Sequence, residues 1–319
     1  MKIIDPETIE EVFPMAAAID VMEQAMIAVS AGKAQFPLRQ VLSVHDKNLF
    51  GVMPGVLDAP ACFGVKLISI FPGNTGVGLG SHLGVVVLFE VDHGQPVAVL
   101  DAGAVTGVRT AAASAAATRA LAPPEASTLV IFGTGEQAGR HLEAMMLVRP
   151  ITQVRIVGRT RQSAEKFINW AVGVYPDMSF HIAEDANAAV SDADIICTVT
   201  NSATPLFKGA AVRNGAHINA VGASVASKQE IDEETVLRSS LFVDSRESAF
   251  AEAGEIINAM KMGIIPREGF VAEIGDVFAG TKSGRRDSGE ITLYRSLGVA
   301  AQDIAAAQYI VDRLQEGAH

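Results

Sequence analysis

The sequence predicts an α/β protein in which a doubly wound parallel sheet is inserted into a second domain of the α+β class. From about residue 123 to residue 295, short apolar segments alternate with helical segments, and such repeats favour a parallel sheet with right-handed crossovers. Before this region, short apolar runs alternate with turns, which indicates antiparallel strands and a helix. A last long helix follows the parallel pattern, and we expect it to pack back against the N-terminal part.

Apolar periodicity and turn residues predict the individual elements of the N-terminal part. Helical spacing predicts a helix over 15–30, and the polar turn at 92–96 predicts a hairpin. The predicted strands cover 38–44, 49–53, 62–71, 85–90 and 97–100. Asp101 is placed to cap an alanine-rich helix that ends before Pro123 and Pro124.

The region from 123 onwards carries the alternating pattern. Predicted strands cover 129–132, 154–157, 180–182, 195–198, 217–221 and 241–243. The helices between them include one over 163–174, and the last helix covers 299–315. We therefore expect two domains, one made of residues 1–122 plus 296–319 and the other made of 123–295.

A glycine-rich turn follows the first strand of this region and precedes a helix. Gly133 permits the tight turn, Gly135 lets the backbone approach a pyrophosphate, and Ala138 keeps the helix close to the sheet. The helix N-terminus, at Glu136 and Gln137, offers unpaired N–H groups to phosphates. This order predicts a Rossmann domain that binds a dinucleotide. The alternative is a turn that uses glycine for purely steric reasons.

Two arginines follow the second strand of the predicted Rossmann domain. Proteins that use NAD usually have an Asp or Glu there, which accepts a hydrogen bond from the ribose 2′-OH. This chain has Arg159, Thr160 and Arg161 instead. No carboxylate is there to repel a 2′-phosphate, and two guanidinium groups can pair with it. We therefore expect NADP(H) as the preferred cofactor and NAD(H) as a second usable one. The alternative is a pair of solvated surface arginines.

Small and polar residues follow two further strands of the same domain. In an open parallel sheet the ligand lies at the carboxyl ends of the strands. Thr200 follows one of these strands, and Val221, Gly222 and Ala223 follow the next. We expect these residues to line the dinucleotide site, with ordinary strand-to-helix turns as the alternative.

The composition excludes several classes of function. A net charge of −11 and a pI near 5.1 argue against a nucleic-acid partner, because a phosphate backbone requires a basic face. Cys62 and Cys197 lie in apolar runs, which is typical of reduced cysteines in a cytoplasmic protein. No apolar run reaches the roughly 20 residues that span a bilayer, so we expect no membrane partner. The spacing of the histidines predicts no metal site.

Several short motifs resemble those of the ornithine cyclodeaminase/mu-crystallin family, and the resemblance extends over nearly the whole chain. The segment Arg109-Thr-Ala-Ala together with Lys66 is specific to this family. The matching stretches cover 36–39, 53–55, 64–66, 72–74, 107–112, 133–135, 219–224 and 296–298. The resemblance implies a substrate-binding and dimerisation domain made of the N-terminal half and the final helix, with the Rossmann domain inserted. It also implies a homodimer.

The resemblance further implies roles for individual residues. Arg39 and Arg109 match the residues that hold a substrate carboxylate, and an acidic protein has to supply such cations locally. Lys66 matches the lysine between them and is expected to donate or relay a proton, with its pKa lowered by the two flanking arginines. Three further positions match segments that bind the cofactor: Ser81, His82 and Gly298. For His82 a purely structural role is the alternative.

Two departures from the cyclodeaminase pattern bear on the reaction. Ser224 stands where cyclodeaminases have an Asp, and Gly51 stands where they have a Glu, which argues against ornithine cyclisation. Ketimine reductases similar to mu-crystallin and several bacterial pyrroline-carboxylate reductases have Gly-Ala-Ser at 222–224, as this chain does. Ser224 is expected either to hydrogen-bond the imine nitrogen or a water, or only to fill the turn.

The resemblance therefore implies an NAD(P)H-dependent reduction of a cyclic imino acid. The expected substrate is Δ1-pyrroline-2-carboxylate, and by extension Δ1-piperideine-2-carboxylate, with L-proline and L-pipecolate as products. Alanine dehydrogenation and ornithine cyclodeamination are the enzymatic alternatives. A binding protein that takes up NADPH, as mu-crystallin does, is the non-enzymatic alternative.

Overall fold

The computed structural model describes residues 1–45, 47–80, 82–266 and 271–317, and it describes no side chain at 75 or 76. The chain divides into two compact units, Met1–Thr110 with Gly298–His319 and Ala111–Leu297. The first unit is therefore made of two separate parts of the chain. The sequence prediction has the same form, with one domain made of 1–122 plus 296–319 and the other made of 123–295. The exact bounds of those domains stay a prediction.

The described helices and strands alternate along the chain from a short N-terminal strand to a long C-terminal helix. In chain order they are β1 (Lys2–Ile4), α1 (Pro6–Val12), α2 (Met15–Ser30), β2 (Ala34–Gln35), β3 (Gln40–Val44), β4 (Asn48–Asp58), β5 (Ala61–Ile70), β6 (His82–Phe89), β7 (Pro96–Asp101), α3 (Ala102–Leu121), β8 (Thr128–Phe132), α4 (Glu136–Val148), β9 (Gln153–Val157), α5 (Arg161–Val174), β10 (Ser179–Ile182), α6 (Ala186–Val190), β11 (Ile195–Thr198), β12 (His217–Ala220), α7 (Glu233–Arg238), β13 (Ser239–Val243), α8 (Arg246–Glu252), α9 (Gly254–Lys261), β14 (Val271–Glu273), α10 (Ile274–Phe278), β15 (Ile291–Arg295) and α11 (Ala300–Glu316). Short 3₁₀ helices cover Pro72–Val77 and Gly209–Ala211.

The first unit is a mainly antiparallel sheet with helices on one face. Its strand order is β1-β7-β6-β5-β4-β2, β3 pairs with β4, and β1 is the strand that pairs in parallel. Residues alternate between buried and half-exposed along β5, so that Lys66 and Ile68 face inward while Val65 and Leu67 face outward. Helix α11 packs on β4, β5, β6 and α2, as expected for the last helix.

Small residues allow α11 to lie close to this sheet. A Cβ atom at Gly55 would lie 2.8 Å from Cδ1 of Ile304 and 3.1 Å from the Cβ of Ala300. Side chains on the inner face of β5 therefore meet residues of α11 directly. This contact places the polar groups of both elements next to each other.

The second unit is an eight-stranded sheet in which the paired strands are parallel. Its order is β10-β9-β8-β11-β12-β15-β13-β14. The predicted fold class, a doubly wound parallel sheet combined with an α+β unit, is confirmed. The predicted strands correspond to β8 through β13, whereas the sequence pattern does not predict β14 and β15.

The strand β15 lies inside the sheet, between β12 and β13, although its sequence does not indicate an interior strand. It contains Thr292, Tyr294 and Arg295, and all five of its residues are buried. Their polar groups bond to neighbours within the unit; for example, Nδ1 of His217 lies 2.9 Å from Oγ1 of Thr292. Hydrogen bonds to such internal partners offset the desolvation of polar side chains in a strand that is buried on both faces.

Among the described residues, no single helix meets the length and hydropathy expected of a membrane span. The pair α1 and α2 passes the same test when its members are combined, although they are bent by 84°.

Candidate active site

The glycine-rich turn after β8 has the geometry that a dinucleotide requires. Gly133 has φ +119°, and a Cβ atom there would lie 2.8 Å from the carbonyl oxygen of Val199, so glycine is needed for both reasons. Gly135 is the N-cap of α4, and a Cβ atom there would meet no atom within 4 Å. Open space thus adjoins the N-terminus of α4, where Glu136 and Gln137 begin the helix, and this geometry suits a phosphate. Ala138 is fully buried, as predicted for helix packing.

The two arginines after β9 differ in their surroundings. Arg159 is exposed at the end of the strand, whereas Arg161 begins α5 and forms ion pairs with Glu165 at 2.9 Å and Glu184 at 2.5 Å. The hydroxyl of Thr160 caps α5 by accepting a hydrogen bond from the backbone N–H of residue 163 at 3.2 Å. Of the two guanidinium groups, that of Arg161 is therefore already neutralised by neighbouring carboxylates.

A buried carboxylate joins the ends of β11 and β12. Glu230 is 2% exposed, and it accepts hydrogen bonds at 2.6 Å from the backbone N–H groups of Thr200 and Gly222. It also accepts from the hydroxyls of Thr198 at 2.9 Å and Thr200 at 2.6 Å. Sequence reasoning missed Glu230, because it lies in a polar loop with no pattern that distinguishes it. It fixes the backbone at two of the predicted cofactor positions.

The remaining predicted positions in this loop region are buried or partly buried. Val221 and Ala223 are buried, and the carbonyl of Ala223 accepts a hydrogen bond from Nη2 of Arg295. Ser224 is half-buried in the loop that follows. The contacts of these residues with a cofactor or substrate stay predictions.

A buried ionic cluster lies in the first unit, between β5, α3 and α11. Nζ of Lys66 lies 3.0 Å from Oδ1 of Asp303, and Nε of Arg109 lies 2.9 Å from the same oxygen. Lys66, Arg109 and Asp303 are 2%, 5% and 0% exposed. Nη1 of Arg109 also donates to Oε1 of Gln302 at 2.8 Å. The structure therefore brings two of the predicted cations together around a carboxylate.

Asp303 and Gln302 are absent from the predicted site, although the sequence contains a signal for them. Both lie in the first turn of α11, where helical periodicity places them among buried alanines and Ile304. A buried polar residue is informative, because its desolvation has to be offset by specific partners. Two adjacent polar residues inside an apolar helical surface indicate such partners.

The third predicted cation, Arg39, is held at the same end of the first unit. Its Nη2 donates to the carbonyl oxygen of Gly298 at 3.1 Å. Gly298 has φ +76°, and a Cβ atom there would lie 2.6 Å from Nη1 of Arg109. Gly298 thus lies against both arginines, and its predicted contact with a cofactor stays a prediction.

Burial and neighbouring charges set the ionisation of the cluster. Burial is the main cause that lowers the pKa of Lys66 to about 8, while Asp303 opposes this shift, and Arg109 and Arg39 add to it. The two arginines therefore lower this pKa as expected, but burial is the larger cause. Burial by itself would raise the pKa of Asp303, but Arg109 and Lys66 together hold it below its usual value.

Of the two predicted cofactor residues near β6, the structure describes His82. His82 begins β6, and desolvation followed by the charge of Lys66 lowers its pKa. Ser81 lies outside the described residues. Within the described ranges, no group of three His, Cys, Asp or Glu side chains is arranged to hold a metal ion.

The role of Glu230 can be tested by stability. Glu230→Gln keeps the size of the side chain but replaces an acceptor oxygen by an amide group that faces N–H donors. We expect the free energy of unfolding to fall by about 2–4 kcal/mol, because a charge-assisted hydrogen bond is lost and a buried donor is left unsatisfied. Denaturant unfolding measures this change. Glu234→Gln, on the exposed side of α7, is the matched control, and equal losses in the two variants would contradict the role of Glu230.

Known proteins are similar to this chain over nearly its full length. The sequence profile of the ornithine cyclodeaminase/mu-crystallin family matches residues 2–318. The chain is 35% identical over 302 residues to the Delta(1)-pyrroline-2-carboxylate reductase of Bacillus cereus, covering 93% of this chain and 92% of that protein. It is 35% identical over 287 residues to the ketimine reductase mu-crystallin of Mus musculus, covering 90% and 87%.

A solved structure extends the similarity to three dimensions. It is the Thermococcus litoralis Delta(1)-pyrroline-2-carboxylate reductase in complex with NADH and L-proline, which has a TM-score of 0.95 and 33% sequence identity and covers 100% of this chain and 98% of that chain. This similarity and the profile match lead to the same conclusion. The chain belongs to the ornithine cyclodeaminase/mu-crystallin family.

Proposed function

We propose that this protein is an NAD(P)H-dependent reductase that converts Δ1-pyrroline-2-carboxylate, and also Δ1-piperideine-2-carboxylate, to L-proline and L-pipecolate. The observation that carries this proposal is the buried cluster of Lys66, Arg109 and Asp303. It combines carboxylate-binding cations with a lysine whose pKa of about 8 suits proton transfer near neutral pH. Relatives that share the family are named as reductases of the same imino acid and of ketimines.

The cations of the cluster suit a substrate carboxylate. With Lys66 protonated, Lys66 and Arg109 carry two positive charges against the single negative charge of Asp303, so that one positive charge remains uncompensated within this group. Arg109 has five N–H donors, of which Asp303 and Gln302 take two. These bonds hold its guanidinium plane in place. Arg39 and Arg109 would bind the carboxylate and thereby orient the C=N bond.

The reaction also requires a hydride and a proton. A bound reduced nicotinamide would supply the hydride that adds to the C=N carbon. Lys66 would supply the proton to the imine nitrogen, and this proton makes the carbon electrophilic enough to accept hydride. Asp303 keeps Lys66 in place and favours its protonated form.

The sheet around Lys66 favours a substrate whose ring carries no second charge. Across the strands, Lys66 is paired with Met53 and Val86, and the next row contains Gly51 and Ile68. A Cβ atom at Gly51 would lie 3.1 Å from Cγ2 of Ile68, so the Glu that cyclodeaminases have there would require Ile68 to move. These apolar neighbours suit a hydrocarbon ring better than the distal ammonium of ornithine.

A substrate panel tests the proposed reaction. We expect turnover of NADPH or NADH with Δ1-pyrroline-2-carboxylate, and Arg39→Lys should lower kcat/KM about 10- to 100-fold, because a point charge replaces a bidentate fork. The absorbance of the reduced cofactor measures the turnover of the wild type and of the variant. Arg313→Lys is the matched control, since Arg313 is exposed on α11 and pairs with Glu316. Turnover only with NAD and alanine or ornithine would instead favour the dehydrogenase or cyclodeaminase alternatives. Cofactor binding without any turnover would favour the binding protein.

A preference for NADPH over NADH is part of the proposal, and Arg159 is the residue that supports it. Arg159 is exposed just after β9, where we expect the 2′-phosphate to bind, whereas Glu165 and Glu184 already neutralise Arg161. The absence of a carboxylate at 158–160 favours the same choice.

The cofactor preference is tested by charge reversal. Arg159→Asp should lower kcat/KM for NADPH relative to NADH by about tenfold or more, because a carboxylate repels the phosphate and accepts from a ribose hydroxyl. Arg161→Ala should change this ratio less, because its guanidinium is engaged elsewhere. A ratio that Arg159→Asp leaves unchanged would contradict the role of Arg159.

We further propose that the protein is a homodimer that pairs through the outer face of the first unit's sheet. Pro54, Val65, Val87 and Val99 form a row across β4–β7, and each is half-exposed. A neighbouring row includes Val56, Phe63 and Phe89, with the two rings stacked at 5.2 Å between centroids. A contiguous apolar patch of this kind is typical of a protein interface.

The dimer proposal is tested at the centre of this patch. Val65→Asp should raise the dissociation constant of the dimer about 30-fold or more, because an unpaired carboxylate would be buried. Analytical ultracentrifugation over a concentration series measures it. Val172→Asp, at an exposed position of α5, serves as the control. An unchanged constant in Val65→Asp would place the interface elsewhere.

The cytoplasm is the location that we propose for this enzyme. Cys62 and Cys197 are both free and buried, which is typical of proteins in a reducing compartment. Burial raises the pKa of both thiols to about 12, so neither is a reactive thiolate.

A further inference from the structure

Two acceptors on two different helices hold the ammonium group of Lys66. Nζ donates to Oγ1 of Thr106 on α3 at 2.6 Å and to Oδ1 of Asp303 on α11 at 3.0 Å. The hydroxyl of Thr106 donates in turn to the carbonyl oxygen of Ala102, one helical turn earlier, at 2.5 Å. Its hydrogen is therefore committed to the backbone, and its oxygen acts as an acceptor toward Lys66.

This arrangement is compatible with both ionisation states of Lys66. A charged ammonium group has three N–H bonds, whereas a neutral amine has two N–H bonds and a lone pair. Thr106 and Asp303 accept two hydrogens in either state. Only the third tetrahedral position of Nζ changes, from an N–H bond to a lone pair. Lys66 can therefore lose and regain one proton while both hydrogen bonds persist.

We propose that Thr106 and Asp303 are positioning residues for Lys66 that together leave one N–H of its ammonium group for the nitrogen of the substrate. This inference rests on the proposed function, because it assigns the proton of that reaction. The Nζ–H bond breaks as an N–H bond forms on the imine nitrogen. The C=N carbon accepts the hydride, so the imine is reduced and the nicotinamide is oxidised. Neutral Lys66 then takes a proton from solvent water before the next turnover.

The charged and titratable groups around Lys66 agree with this assignment. Arg109 faces it from α3, Asp303 from α11, His82 from β6 and Arg39 from the segment before β3. Asp303 is the one carboxylate among these four, and its Oδ1 serves both Lys66 and Arg109. Its Oδ2 is buried without a hydrogen-bond partner in the described part of the chain. Asp303 therefore stabilises the charges of Lys66 and Arg109 through hydrogen bonds to Oδ1.

Steady-state kinetics with Δ1-pyrroline-2-carboxylate and NADPH, at pH values on both sides of 8, tests the proposal. In the wild type, kcat/KM should fall as pH rises through about 8, because the protonated form of Lys66 is the donor. Thr106→Val keeps both charges and the branched shape but removes the acceptor. It should lower kcat about 10- to 100-fold with KM changed less than about threefold, and Thr106→Ser should restore kcat.

Asp303→Asn tests the second acceptor. Because Asp303 favours the protonated form of Lys66, its loss should move the alkaline limb of the pH profile to lower pH. Asp312→Asn is the matched control, since it makes the same change at an exposed position of α11 and should behave as the wild type. If Asp303→Asn does not fold, Thr106→Val and its serine rescue decide the question.

Each alternative outcome has its own meaning. A wild-type kcat in Thr106→Val, or an unmoved alkaline limb in folded Asp303→Asn, would overturn the positioning role while the proposed function stands. A uniform loss of kcat in Thr106→Val that serine does not restore would also overturn it, because that result reports packing. A wild type that reduces no cyclic imino acid would overturn the proposed function and this assignment with it.

Discussion

The buried ionic cluster that we propose as the substrate site depends on one carboxylate oxygen, Oδ1 of Asp303, which accepts hydrogen bonds from both Lys66 and Arg109. Two buried cations a few ångströms apart repel each other, and water is not there to screen them. A single carboxylate between them makes their burial tolerable without cancelling both charges. The positive charge that remains is what an anionic substrate needs. It is created locally in a chain whose net charge is −11.

Buried charges in the second unit hold backbone groups in place at the ends of strands. Glu230 accepts hydrogen bonds from N–H groups after β11 and β12, and Arg295 donates to the carbonyl oxygens of Ala220 and Ser296 at 3.0 Å and 2.9 Å. Loops at strand ends have few apolar side chains to pack, so their polar backbone groups need specific partners. Charged side chains supply them because charge-assisted hydrogen bonds are the stronger ones.

Much of the fold and part of the site could be predicted from local patterns. Gly133 is predictable because a tight turn between strand and helix has a recognisable order of residues, and its φ of +119° agrees with that reason. The strand β15 is not predictable from a local pattern, because the polar side chains of Thr292 and Arg295 interrupt its apolar sequence. Their hydrogen-bond partners are present only in the folded unit. The main cause of the low pKa of Lys66 also escapes a local pattern, since burial is a property of the packed sheet and helix.

By itself, the amino-acid sequence determined the fold class, the glycine-rich turn and the identity of the cations, because each depends on neighbouring residues or on a short motif. Only the tertiary structure decided which groups meet them. Asp303 follows Lys66 by 237 positions, and Glu184 follows Arg161 by 23. Such contacts form when separate elements pack, and no local periodicity encodes them. The chemistry of the site therefore comes from residues that the sequence supplies and from partners that the packing of α11 and the sheet selects.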